Sequence, residues 1–472
     1  MAKRERVSPT ELELGFEYDE GHAEEEVTAL AGVPMLVQAF RSLAVGKSVN
    51  QNVAVKQRQS GFDEATYVES FVILNATGGE CLEDFGPLRR DQGLAQLIGH
   101  ELPSPEAARK FLYQFHDESK LEEAQQQLGL GRSSYIPEES AALNGLGQVN
   151  VDLVRELARR CGDQKIATID LDSTVIESWK KEAQPTYQGG KGYQPALALW
   201  AELNVIVADQ FRDGNVPSLQ EPLPVAKRAF GALPESVQEY YFRGDSAYYD
   251  KDLLGWLRDE ERVDGPKGRI GFCISVRMNR SLKEHMLQLA DSLWKPYRED
   301  SEAESECADL LNYWPEAEQS KPRGPLRYVA IRVRRRQGDL FADGAEAKYF
   351  AVATNIWDWK AKRLLEWHRE KAGSIEAVND VIKNDLSAGV LPCGRFGANA
   401  AWLRLAVITH NVLTALKRLA LPPELLSARP KRLRFLIFNT AGRIIRHARK
   451  MLCRIAAAGW REWRELLPIP AW

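Results

Sequence analysis

Asp170 and Asp172 close an apolar run, Ile166-Ala-Thr-Ile-Asp-Leu-Asp-Ser-Thr-Val175, that reads as a buried strand. Alternate strand residues share a face, so both carboxylates can point at one site. A carboxylate pair at a strand end serves two chemistries. One is metal-dependent phosphodiester chemistry; the other is phosphoryl transfer through an aspartyl-phosphate. Asp245 follows a second strand, in Tyr241-Phe-Arg-Gly-Asp-Ser-Ala247, and Glu376 lies in a helical stretch from Trp367 to Lys383. Acids from two adjacent strand ends and one facing helix can converge, and hard oxygen ligands of that kind hold Mg²⁺. A single Asp at a strand end is more often a turn or helix cap, so the order of the three carries the reading.

The elements that must position these acids follow from the hydrophobic pattern. After Gly162-Asp163 come short β-rich runs at 165–171, 196–203 and 205–211, the last two forming a hairpin. A helix over 219–230, a strand before Arg243, an amphipathic helix over 250–262 and a strand over 269–276 complete an α/β pattern. The chain from Ala31 to Val149 reads as helical, with Ser104 before Pro105-Glu106 as a helix start. Strands at 328–336 and 349–354 interrupt the α/β run, preceded by an acidic stretch, Glu299 to Glu306, that reads as an exposed linker. From Trp359 onward the pattern is almost wholly helical.

Length and composition agree with a multidomain globular protein: 472 residues, 44% hydrophobic, with a formal net charge of −3. That charge is uneven, because the first 30 residues are acidic and the segment from Lys431 to Arg464 is rich in Arg, so nucleic acid is not excluded. Six scattered cysteines without a CxxC pair suit a reducing compartment. The charged N-terminus lacks the apolar core of a signal peptide, and Ala400–Leu421 is broken by Arg404, Lys417 and Arg418. A cytoplasmic protein with no membrane span is expected.

On these residues the chain resembles the DDE transposases of bacterial insertion sequences. The matched features, over roughly residues 160 to 450, are Asp172-Ser-Thr174, Gly192-Tyr-Gln-Pro195, Arg212-Asp-Gly-Asn215, Arg243-Gly-Asp245-Ser-Ala, and Glu376 with Lys383 seven residues on. Trp367, His368 and Arg369 stand where relatives often carry a Tyr and an Arg. The resemblance implies an RNase H-like α/β catalytic core interrupted by a β-rich insertion, with helical N-terminal and C-terminal regions. The divisions expected are an acidic, poorly ordered N-terminus (1–30), a helical DNA-binding or dimerisation domain (31–160), the first part of the core (161–295), the insertion (296–358), the second part of the core (359–420) and a basic helical C-terminal region (421–472).

The resemblance further implies a magnesium-dependent endonuclease and strand-transfer activity, with two Mg²⁺ ions (Mn²⁺ as substitute) on Asp172, Asp245 and Glu376, and Asp170 as the alternative first-strand ligand. The partners implied are double-stranded DNA, as terminal inverted repeats and target, and a second copy of the chain in a homodimer acting on the bacterial nucleoid. Lys383, Arg369, Arg243, Arg332, Arg334, Arg443 and Arg446 are the expected DNA-binding residues. Arg332 and Arg334 share one strand face, where they contact phosphates or keep an edge soluble. Arg443 and Arg446 recur at helical spacing on a basic amphipathic helix. Two rival readings remain. Asp170-Leu-Asp172-Ser-Thr174 also fits the D-x-D-x-T motif of haloacid-dehalogenase-like phosphatases, with Asp170 as nucleophile, and the chain could be a non-catalytic DNA-binding descendant of a transposase.

Overall fold

The computed structural model describes residues 26–55, 61–126, 128, 133–162, 164–299, 303–311, 313–315, 324–335, 347–448 and 450–455. Residues 1–25 of the acidic N-terminus, the turn region between the two insertion strands, and 456–472 lie outside the described residues.

Five strands build the part of the sheet that carries the acids: β1 (Ile166–Ser173), β2 (Ala196–Trp200), β3 (Val205–Gln210), β4 (Glu239–Gly244) and β5 (Ile270–Ser275). β1 is central, buried from Ala167 to Leu171, as a near-continuous apolar run requires. It pairs antiparallel with β2, which turns through Asn204 (φ 57°) into β3, and parallel with β4, which in turn pairs parallel with β5. The parallel connections demand crossovers, supplied by α2 (Pro222–Gly231) between β3 and β4 and α3 (Lys251–Leu257) between β4 and β5. α1 (Ala141–Arg160) leads into β1 from the helical N-terminal part.

The segment from 295 to 354 continues the same sheet. β6 (Lys295–Glu299), β7 (Ala303–Asp309), β8 (Arg327–Arg335) and β9 (Lys348–Thr354) form an antiparallel meander joined to β5 through β9. Among the described residues the sheet order is β6-β7-β8-β9-β5-β4-β1-β2-β3. The acidic stretch expected as a linker is therefore largely strand. Glu304 and Glu306 face Arg334 and Arg332 across the ladder, so its charge is matched by the neighbouring strand rather than left to solvent.

Two long helices follow, α4 (Ala361–Asn384) and α5 (Phe396–Ala420). α4 packs on β1 and β2. α5 is buried on nearly every face and is the hub of the helical part. Among the described residues no helix is long and apolar enough to cross a membrane.

α5 holds its polar residues by pairing them. Asn411 meets the backbone of the edge strand β3, accepting from the Ile206 amide at 2.9 Å and donating to its carbonyl at 2.8 Å, and it also donates to Asn150. Side chains thus satisfy the groups that an open sheet edge would expose. The Arg404 guanidinium is closed on Asp209 and Glu139 at 2.9 Å, tying β3, α5 and the approach to α1 together.

The basic C-terminal helix expected over Arg443 to Lys450 is a hairpin instead. β10 (Gly442–His447) and β11 (Lys450–Ile455) pair antiparallel, and Val27–Thr28 adds a third strand. Gly442 and Ile444 are buried with exposed Arg443 between them, the alternation of a strand, and Arg446 is exposed further along it. A Cβ on Gly442 would sit 2.6 Å from Ala31 and 2.7 Å from the Cys453 sulfur, so this close strand approach depends on glycine.

Removing one member of the buried Arg404 cluster leaves a charge without its partner. Asp209→Ala is expected to cost about 3–5 kcal/mol of unfolding free energy, measured by urea denaturation; a loss below about 1 kcal/mol would show that the cluster does not hold the helical part to the sheet.

Candidate active site at the strand ends

Asp172 is the next-to-last residue of β1, and β4 pairs with β1 in parallel so that Leu171 lies beside Gly244. One step further along that register places Asp172 alongside Asp245. The Asp245 carboxylate accepts the Ala247 amide at 2.8 Å and starts a short helical turn. The chain can turn so tightly there because residue 244 is glycine: a Cβ would lie 2.9 Å from the Tyr248 Cβ. Tyr248 is buried beneath the cluster with its hydroxyl 2.9 Å from the Ser173 hydroxyl.

The third acid comes from α4. Glu376 is exposed. Three residues on, and so on the same helical face, buried Asn379 donates to the Asp172 carboxylate at 3.0 Å. Burial raises the Asp172 carboxyl to about 6; the Lys371 ammonium opposes that shift, the Asp245 charge adds to it, the Ser173 amide opposes it, and the Glu376 charge adds to it. Asp172, Asp245 and Glu376 therefore share one electrostatic environment, with Lys371 as its nearby cation.

Asp170 has a different role. It has no exposed side-chain surface and is closed in a bidentate pair with Arg243, Nε to Oδ1 at 2.6 Å and Nη2 to Oδ2 at 2.9 Å, with Ser374 of α4 donating to Oδ2. A carboxylate with no exposed surface and three protein donors is out of reach of a substrate. This removes the phosphatase reading, which needs Asp170 as a nucleophile, and it leaves Asp172 as the first-strand candidate.

The expected DNA-binding residues divide. Arg243 is a correction: its side chain is buried, and Nη1 reaches the Trp367 carbonyl at 2.5 Å and Glu370 at 3.1 Å. Arg332 is another, buried between Asp291 and Glu306 with its guanidinium 4.4 Å from the centre of the Trp294 ring. Both guanidinium groups are committed to internal carboxylates. Lys383 donates to the Val175 carbonyl at 2.7 Å, bracing the chain just past β1. Arg334 is half exposed, Arg369 is exposed beside Tyr297, and Arg443 and Arg446 are exposed on β10, where Arg446 meets Gln96. His368 is partly buried with Nε2 3.0 Å from the Ser275 hydroxyl; desolvation drives it down to about 3, so it stays neutral.

Sequence reasoning missed Asn379 and Lys371. Their signal was spacing: Asn379 stands three residues after Glu376, and Lys371 five before.

Among the described residues no three His, Cys, Asp or Glu side chains are packed closely enough to clasp a metal ion. The donor set nevertheless suits a hard divalent cation. The buried Asp172 carboxyl feels the Asp245 and Glu376 charges, and the buried Asn379 Oδ1, beside Asp172, has no hydrogen-bond partner.

The Asp172 shift fixes a pH dependence. Its folded value, about 6, exceeds its ordinary 3.8, so the folded state binds more protons between them. Its contribution to stability is fully present below about 3.8 and is lost as pH rises through about 6. In EDTA, Asp172→Asn is expected to flatten part of the decline in melting temperature across this window and to stabilise the protein at about pH 8 by up to about 3 kcal/mol. Asp213, which burial also raises to about 6, keeps the remaining slope. Melting profiles that superimpose for the two proteins would contradict this assignment.

A family model described as "Transposase DDE domain group 1" matches residues 21–463. No curated protein matches the chain. Among solved structures, the chain is similar to a piggyBac transposase synaptic complex with hairpin DNA determined by cryo-EM, with 10% sequence identity and a TM-score of 0.45, over 88% of this chain and 81% of that one.

Proposed function

The chain belongs to the transposase DDE domain group 1 family, and from that we propose that it is a DNA transposase that cuts at the terminal inverted repeats of a mobile element and joins the freed 3′ ends to target DNA. The observation that supports the proposal is the parallel pairing of β1 with β4, which sets Asp172 beside the start of the Asp245 turn, together with the Asn379 hydrogen bond that ties α4, the helix of Glu376, to Asp172. The strand order also supports an RNase H-like core, with an antiparallel meander β3-β2-β1, then β4 and β5 parallel to β1, and α4 across the face.

Asp172, Asp245 and Glu376 would hold two Mg²⁺ ions, or Mn²⁺ in their place. When bound, these would lower the pKa of an attacking water or 3′-hydroxyl and offset charge on the leaving oxygen. The protein's own groups do the positioning. Asn379 fixes one oxygen of Asp172 and keeps its own carbonyl oxygen for a water, while Asp170 and Arg243 hold β1, β4 and α4 in register. Lys371 supplies a positive charge where a backbone phosphate would approach, with Arg369, Arg334, Arg443 and Arg446 as exposed contacts further out. The helical part over 31–160 would bind the element ends or pair two protomers, since two ends must be joined in one event.

The test is cleavage of DNA bearing the element's terminal repeats. Cutting is expected with Mg²⁺ or Mn²⁺ and not in EDTA, and Asp172→Ala, Asp245→Ala and Glu376→Ala should each lower it by at least about 100-fold. Asn379→Ala, acting through Asp172, should lower it by about 10- to 100-fold, with partial recovery at higher metal concentration. Undiminished cutting by the three acid variants would defeat the reading, and a wild-type protein that binds the repeats without cutting them would be the non-catalytic descendant.

A further inference from the structure

Between Asp172 and β2 the chain forms a small lobe that the acid chemistry does not use. Three short strands, Ile176–Glu177, Gln184–Pro185 and Lys191–Tyr193, pair with the last in the middle. The lobe is braced at several points. The Ser178 amide donates to the Lys191 carbonyl at 2.9 Å, the Thr186 amide closes the turn onto Gly190 at 2.7 Å, and the Gly214 amide reaches the Gly192 carbonyl at 3.0 Å. A Cβ on Gly214 would collide with the Gly192 and Gln184 carbonyls at 2.6 and 2.7 Å, so the lobe is in tight contact with the turn that follows β3. At the base, Lys383 grips Val175.

On this braced backbone Trp179 is 96% exposed and Tyr187 75% exposed. A bare indole on a fixed support is an unusual use of a large apolar ring. Around it are exposed Lys180, Lys181 and Lys191. The acids of the lobe are exposed Glu177 and Glu182; Glu182 lies against Gly394, with Lys180 and Arg395 near the same Cys393. Flat aromatic faces interleaved with ammonium groups match a nucleic-acid strand whose bases are free to stack. Trp179 lies seven positions beyond Asp172, at most roughly 23 Å at 3.3 Å per residue, which is about seven base steps of DNA at 3.4 Å each.

We propose that this lobe is a stacking platform: Trp179 takes up an unpaired base next to the cut, and Lys180, Lys181 and Lys191 hold the adjoining phosphates. The proposal rests on the DNA-cutting reading above and names the strand contact that reading lacks. A base exposed by local opening of the duplex would be held away from its partner, keeping the cleavage point accessible to the acids.

The test uses the full-length chain and anisotropy titrations with two probes, an oligothymidine of about 20 nucleotides and a duplex of about 20 base pairs. Trp179→Ala is expected to weaken single-strand binding by roughly 5- to 150-fold with much less effect on the duplex, and Trp179→Phe to restore it. The melting temperature of Trp179→Ala should stay close to that of the wild type, because the ring touches little of the fold. Equal losses on both probes, no loss on the single strand, or no single-strand binding by the wild type would each overturn the proposal. So would sedimentation showing that Trp179→Ala dissociates a dimer, since the ring would then belong to a protein contact. Asp172→Ala separates the two readings. It is expected to bind the single strand like the wild type while failing to cut; cutting by Asp172→Ala would sink the acid cluster and leave the lobe to its own binding result.

Discussion

The buried Asp170–Arg243 pair is the constraint on which the site depends. These residues face each other across the parallel β1–β4 ladder, so the pair forms only when the strands meet in register. The remaining donors of Arg243 then point at α4, and Ser374 of α4 returns a hydrogen bond to Asp170. A slip of one residue on either strand would bury two unmatched charges, at a cost of several kcal/mol. Asp172 is fixed two residues beyond Asp170, and Asp245 two beyond Arg243. A purely structural ion pair therefore sets the spacing of the acids beside it.

Holding those acids together works against the fold. The same burial that encloses Asp172 raises its carboxyl to about 6, and the neighbouring acids raise it further. Asn379 is buried with its carbonyl oxygen unmatched. Groups chosen for packing alone would include neither. Such local costs are tolerated where the surrounding structure over-determines the geometry, and the bidentate clamp next door supplies that excess.

The sequence revealed the parts of this arrangement that are local. Strand runs ending on Asp172 and Asp245 were legible from periodicity, as was the helix carrying Glu376. The separate duty of Asp170 was not, because its partners are 73 and 204 residues away and no pattern of single residues reports a pairing. Arg243 and Arg332 looked like surface cations for the same reason. The C-terminal hairpin was misread because Ile444 and Ile445 fit a helical stripe as well as a strand. What decides for the strand is the approach of Val27–Thr28 and Ala31, again from the far end of the chain. Glu299 to Glu306 looked solvated because the arginines that face it lie on a strand almost thirty residues later.

α4 converts these long-range contacts into a single geometry. Its Trp367 carbonyl and Glu370 take Arg243, Ser374 takes Asp170, Asn379 takes Asp172, and Lys383 takes the Val175 carbonyl where the exposed lobe begins. Those anchors recur at steps of three to five residues along a helix that rises about 1.5 Å per residue and spans roughly 24 Å from Trp367 to Lys383. Glu376 needs no contact of its own to be placed, since the anchors on either side of it leave the helix little freedom to rotate or slide. The same helix then sets the distance between the acids and the lobe. An isolated loop could not maintain that spacing, because loop ends relax independently, whereas the ends of one helix move together. The third acid is consequently carried by an element that arrives after the whole β6–β9 meander, and its position is nonetheless dictated by two residues of β1 and one of β4.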